Sequence, residues 1–298
     1  MERTVLAIAF CALITPVAEA ADAIGDSSGE ANWVFRLGGA LDAYHVNQVD
    51  NDEGTDSDGW NTGAHLDLAA GGLIGEGWGT QFDVRGSLFS DNHGSDDDWT
   101  KSYLTGGMHL YALTPNGLLG AFAGAGIADD TGDTDENQTY WFGGVEGQWT
   151  LSSAVLFAEA GYLDGTDEYD EGINQAVFGR VGVHYFALPD LVLTGAVSGA
   201  AGLQDNSDEL ESEALIGDLH LEAEHGFGNG QNSVFVSYDG TLVSFDGGDH
   251  RTDFHGVMLG FRMRLGGSGD LQSTYSGPGA LSLTPVDRWF AYTANEVE

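Results

Sequence analysis

Apolar and polar side chains alternate with a period of two along most of the chain, and residues 214–224, reading A-L-I-G-D-L-H-L-E-A-E, show it most openly. Successive side chains of a strand point to opposite faces. Leu215, Leu219 and Leu221 therefore share one face with Gly217 and Ala223, while Asp218, His220, Glu222 and Glu224 share the other. An acidic stretch, 204–213, precedes this segment, and a Gly-rich turn, 225–231, leads into a second alternating run, 233–245. The same unit of acidic loop, strand, short turn and strand recurs from residue 32 onward. It predicts about twelve strands of roughly 10 to 14 residues, enough for a tilted membrane-crossing strand with some extension above it. Helical periodicity is absent.

The predicted strands are 32–46, 60–71, 78–90, 99–113, 118–128, 139–150, 155–163, 173–186, 191–203, 214–224, 233–245 and 254–265. Long acidic connections (47–59, 91–98, 129–138, 164–172, 204–213 and 246–253) take turns with short ones such as Thr114-Pro115-Asn116-Gly117, 151–154 and Ala187-Leu188-Pro189-Asp190. The short ones carry the Pro, Asn, Asp and Gly that tight turns require. A soluble antiparallel protein would also alternate, but it has no reason to segregate acid to every second connection. The predicted fold is all-β: a closed antiparallel transmembrane barrel with short turns at one end and long acidic loops at the other. An even strand count with a long first loop puts both ends of the barrel segment on the short-turn side, which is the periplasmic side in bacterial barrels.

Residues 1–20 read as a secretory signal, with Arg3 in a short basic region, an apolar stretch from Val5 to Ile14 and an Ala18-Glu19-Ala20 end. Residues 21–31 would then be a periplasmic segment, 32–265 the barrel and 266–298 a tail. The one cysteine, Cys11, lies in the leader behind Phe10, where a lipoprotein signal needs a small residue, so the mature chain is expected to carry neither lipid nor disulfide. No later run reaches the 18 or so consecutive apolar residues of a membrane helix. The formal charge is -38 with one lysine, Lys101. That argues strongly against nucleic acid and anionic lipid head groups as partners and suits a cation-rich exterior; adaptation of the whole surface to salt would give the same charge.

Assigning the apolar parity of each strand to lipid leaves an interior set: Arg36, Asp42, His65, Asp67, Gln81, Asp83, Arg85, Lys101, His109, Glu146, Gln148, Glu159, Arg180, His184, Asp218, His220, Glu222, Asp239, Arg262 and Arg264. Closure sets the last strand beside the first, so Arg262 and Arg264 should meet Arg36 in a basic strip at the seam, with carboxylates of other strands facing it. The rival arrangement is a set of ion pairs that fills and stiffens a narrow barrel and admits nothing. In the loops, Asp50, Asp52, Asp56 and Asp58, and likewise Asp130, Asp133 and Asp135, supply hard oxygen ligands suited to weak calcium binding, although no segment has the spacing of the 12-residue calcium loop. At the rim, Asp249, His250, Asp253 and His255, with His93 on another loop, are the residue types of an acid-oriented histidine that activates water, at a spacing that is not specific.

With these segments in view, residues 32–265 resemble Gram-negative outer-membrane β-barrels of the porin-like kind, in architecture and not through any family motif. The last strand, His255-Gly256-Val257-Met258-Leu259-Gly260-Phe261-Arg262-Met263-Arg264-Leu265, is similar to the signal such barrels present to their insertion machinery, except that it does not end the chain. The tail that follows suits a periplasmic extension, a segment packed in the lumen, or a further hairpin (280–283 and 288–293) that would raise the count to 14 strands. The resemblance implies an outer-membrane location, lipid as the surrounding solvent and a passive channel for small hydrophilic solutes. The acidic loops would make it favour cations by raising their concentration at the mouth. The opposed charged rows resemble the constriction of general porins. A sealed barrel displaying acidic loops for adhesion, shielding or divalent binding is the competing expectation, and a rim hydrolase a lesser one.

Overall fold

A computed structural model describes residues 33–50, 56–91, 99–130, 137–165, 173–204, 212–228, 231–245, 250–266, 271–276 and 279–293. The predicted leader, the segment after it and most of the acidic loops lie outside the described residues.

Twelve strands form a closed barrel: β1 (Trp33–Asp50), β2 (Asp56–Gly75), β3 (Trp78–Asp91), β4 (Trp99–Thr114), β5 (Gly117–Asp130), β6 (Asn137–Thr150), β7 (Ala154–Gly165), β8 (Ile173–Leu188), β9 (Leu191–Gln204), β10 (Ser212–Phe227), β11 (Asn232–Phe245) and β12 (His250–Leu265). Each pairs antiparallel with its sequence neighbour. The seam between β12 and β1 runs from Phe35 opposite Leu265, through Arg36 opposite Arg264, to Asp50 opposite His250. Closure leaves no unpaired edge, which a lipid-embedded sheet cannot tolerate. At the turn between β2 and β3, Gly77 takes φ 76°, the left-handed conformation that a glycine adopts without strain.

The strands run further toward the loops than the apolar alternation does. β1 continues to Asp50 and β2 begins at Asp56, so the first long connection shrinks to 51–55. The backbone ladder needs no apolar side chain, and it continues above the level at which lipid sets the pattern. The fourteen-strand alternative is overturned: 286–293 form a helix, and β1 and β12 already pair with each other. An added hairpin would find no edge to join.

The outer face carries an apolar band, with Leu41, Leu104, Val145, Val177, Val181, Leu219 and Leu259 all exposed. Trp78, Trp149, Tyr185 and Phe227 ring it near the turn end, and Trp60 and Trp141 stand near the loop end. Large apolar side chains held in the open on all sides, flanked by aromatic girdles, belong to a protein whose solvent there is hydrocarbon. No helix among the described residues is long and apolar enough to cross a membrane.

After β12 the chain turns back into the barrel. Helix α1 (Leu271–Tyr275), an extended stretch and helix α2 (Val286–Thr293) run up the lumen from the turn end toward the loops, as their contacts with Phe186, Gln81, Glu159 and Tyr140 in turn show.

Candidate functional site

The lumen is the candidate site, and it is built in two halves. Toward the loops its wall is apolar. Tyr44, Phe89, Tyr103, Tyr140, Phe142, Phe178 and Phe254 form one cluster with Leu283, Val286, Trp289 and Phe290 of the tail. Phe290 stacks on Tyr140 at 4.2 Å between ring centroids, and Trp289 meets Phe178 edge-on at 5.6 Å. Strand parity explains the wall, since the inward positions of β1, β3 and β6 turn from charged to aromatic as those strands approach the loops.

Toward the turns the wall is charged. On β3, β4 and β6, His109 Nδ1 lies 2.9 Å from both Glu146 oxygens, its Nε2 lies 3.2 Å from Asp83, and Asp83 lies 3.6 Å from Arg36. Gln81 donates to Asp83 at 2.8 Å. Across the bore, Arg262 spans both oxygens of Glu222 at 2.7 Å and stacks over the Phe235 ring. Arg264 donates to Glu224 at 2.7 Å, and Arg262 and the Tyr275 hydroxyl also donate to Glu224, which is fully buried. Charges out of water persist only when paired and hydrogen-bonded, and each of these carboxylates is.

Between the halves the tail itself completes the pairs. Arg85 is held by Asp67 at 2.8 Å and by the tail's Asp287 at 3.2 Å. Arg288 of the tail reaches Asp239 at 2.6 Å, where His220 already stands at 2.7 Å. Asp218 accepts from Thr241, Ser198 and the Trp289 indole. Glu159 accepts from Thr284 and lies 3.8 Å from Arg180, which donates to Ser282. Beside the tail a cavity of about 160 Å³ remains, lined by groups of both charges that include Arg36, Asp67, Arg180, Asp218, His220 and Glu222.

The structure sends inward every residue of the interior set whose side chain it describes. Arg36, Asp67, Arg85, Arg180, His184, Asp218, His220, Glu222, Asp239 and Arg262 line the cavity, as does His65, whose Nε2 lies 3.0 Å from Asp42. Asp83, Glu146 and Arg264 are buried in the pairs above, and the Lys101 side chain lies outside the described residues. Arg36, Arg262 and Arg264 gather at the seam, and carboxylates of other strands face them, each guanidinium being matched to one, because a row of bare guanidiniums in a nearly closed bore would lack hydration.

The calcium candidates Asp50, Asp56, Asp58 and Asp130 have side chains outside the described residues, and Asp52, Asp133 and Asp135 lie wholly outside them. Of the rim cluster, His93, Asp249 and the His250 side chain also lie outside. Asp253 accepts from Arg251 at 3.0 Å and His255 meets the Tyr238 hydroxyl at 2.7 Å, both pairs being exposed. They share the strand parity of the lipid-facing Val257 and Leu259, so they stand on the outside of the barrel and not at its mouth.

Glu224 lies outside the predicted interior set although the alternation puts it on the charged face of β10. The tail residues Tyr275, Leu281, Asp287, Arg288 and Trp289 were also not predicted. Their one signal is the cluster Val286, Trp289 and Phe290 at helical spacing around a charged pair, in a segment too short for a membrane strand.

No family model matches the chain, and no curated protein matches it. Among solved structures it is similar to the COG4313 outer membrane channel from Pseudomonas putida F1, with a TM-score of 0.61 and 11% identity over 80% of this chain and 99% of that one. It also aligns with the translocator domain of the autotransporter NalP from Neisseria meningitidis (TM-score 0.49, 14% identity, 86% of this chain and 97% of that one). A third match is the Pseudomonas putida toluene transporter TodX (TM-score 0.44, 8% identity, 80% and 90%). The fold is that of bacterial outer-membrane β-barrels, with a segment of the chain's own tail inside the barrel.

Proposed function

We propose that the protein is a passive, non-enzymatic outer-membrane channel for small hydrophilic solutes, cationic or neutral ones preferred, in which the tail narrows the bore to the space beside it. The observation that carries this reading is the cavity at mid-lumen, where guanidiniums and carboxylates from β1, β2, β3, β8, β10, β11 and β12 face one another across open space. Interior carboxylates outnumber guanidiniums among the described residues, and the loops add more acid. Both features favour cations over anions at the mouth and along the path. The leader, once removed before Ala21, fits export to that membrane.

Single-channel recording of the refolded protein tests the reading. Ion flow should favour cations, and the preference should fall as salt rises, because the Debye length shrinks from about 10 Å at 0.1 M to about 3 Å at 1 M. Neutralising Asp50, Asp52, Asp56 and Asp58 should lower selectivity and leave saturating-salt conductance nearly unchanged. A chain that stays silent at every salt concentration, with and without residues 266–298, would sink the channel. The close fit of the tail favours a second reading, a sealed barrel that displays acidic loops and collects divalent cations on them. Silence in both forms would move the function there.

A further inference from the structure

We propose that the lumen holds a peptide-binding site, occupied in the resting protein by residues 279–284 of its own tail, and that this site reads the backbone of its occupant. Gln81, fully buried on β3, donates from Nε2 to the Leu281 carbonyl at 2.8 Å and accepts from the Leu281 N–H at 3.1 Å. A side-chain carboxamide thus does for the tail what a neighbouring strand does in a sheet, satisfying one residue's donor and acceptor together. Arg36 adds a donor to the Leu281 carbonyl at 3.2 Å and a long one to the Gly279 carbonyl at 3.5 Å. The amide is held in register from behind, since it also donates to Asp83, which His109 and Arg36 hold in turn. Such support fixes the site before the occupant arrives.

The wall is also recessed to fit. A Cβ on Gly71 would stand 2.7 Å from the Gly279 backbone, and one on Gly107 would stand 2.3 Å from a Leu283 methyl. Leu281 itself packs on Tyr111 and Leu118. These contacts select a short peptide with glycine at the first position, where φ is 82°, and aliphatic residues at the third and fifth. The polar recognition of Leu281 goes through its main chain, while Arg180 donates to the Ser282 hydroxyl and Thr284 donates to Glu159, so the ligand class is a short, uncharged peptide with hydroxyl side chains at the fourth and sixth positions. The inference goes beyond the channel reading and does not depend on it.

The test uses the full chain with a protease site inserted between Leu265 and Leu271, cut after folding. A labelled synthetic peptide of residues 276–293 is then offered, together with a copy N-methylated at Leu281, which keeps every side chain and loses the one N–H. The parent peptide should displace the cut tail saturably, at one per barrel. The N-methylated copy should bind about tenfold or more weaker, and so should the parent peptide on the Gln81→Leu barrel. If the cut tail is held too tightly to exchange, the cut protein is unfolded and refolded in excess of each of the two peptides in turn. Equal binding of the parent and N-methylated peptides, or no uptake in either format, overturns the proposal. Conductance is not read, so a silent channel leaves the site standing, and a failed site leaves the channel reading intact.

Discussion

The two halves of the lumen solve one packing problem by opposite means. Toward the loops, the bore is filled by an aromatic and aliphatic core in which Trp289 and Phe290 of the tail are fully buried. Toward the turns, it is filled by a charge network in which Glu224 alone accepts from Arg262, Arg264 and Tyr275. The first kind of filling is non-directional and indifferent to salt, and it excludes water and solute alike. The second kind is directional, leaves the cavity beside it, and is intolerant of a missing partner. A tail gripped at one end by grease and at the other by hydrogen bonds is fixed in height by the second and held in place by the first.

Breaking the charged half should have the largest effect. Glu224→Leu leaves Arg264 buried without its carboxylate and should lower stability by about 3 to 5 kcal/mol, read from urea unfolding in detergent micelles. Glu224→Gln, which can still accept, should lose clearly less; equal losses would mean that charge pairing is not what holds this half. In the apolar half, Leu283→Ala should lower stability by about 2 to 3 kcal/mol, by the same amount at low and high salt, because it removes methyls from a packed cluster and touches no charge. A loss that shrinks as salt rises would erase the contrast between the halves. Outside the bore altogether, Arg251→Ala removes an exposed ion pair with Asp253 and should change stability by no more than about 0.5 kcal/mol.

Much of this molecule was legible in its alternation. In β10 the row Leu215, Leu219, Leu221 faces outward and the row Asp218, His220, Glu222, Glu224 faces inward, because a period of two admits only those two faces and hydrocarbon tolerates only one of them. The aromatic inner wall near the loops was less openly written: Phe89 shares the parity of Asp83 and Arg85, and Tyr140 and Phe142 that of Glu146 and Gln148, but an aromatic side chain by itself suits either face. Nor does local sequence pair Arg262 with Glu222, or Arg85 with Asp287, since those partners lie 40 and 202 residues apart.

The sequence by itself determined twelve alternating segments, the sidedness of each and the segregation of acid to every second connection, since each follows from short-range periodicity against an apolar solvent; that no further hairpin joins them was decided by the closure of β1 on β12. Only the tertiary structure decided where the tail goes. Residues 271–293 lack the length and the alternation to cross a membrane as strands, and nothing local tells a segment to fold back into a bore. What places them there is the lumen's shape and its polar groups, the recess at Gly71, the amide of Gln81 and the guanidinium of Arg85, which come together only once β1 has met β12.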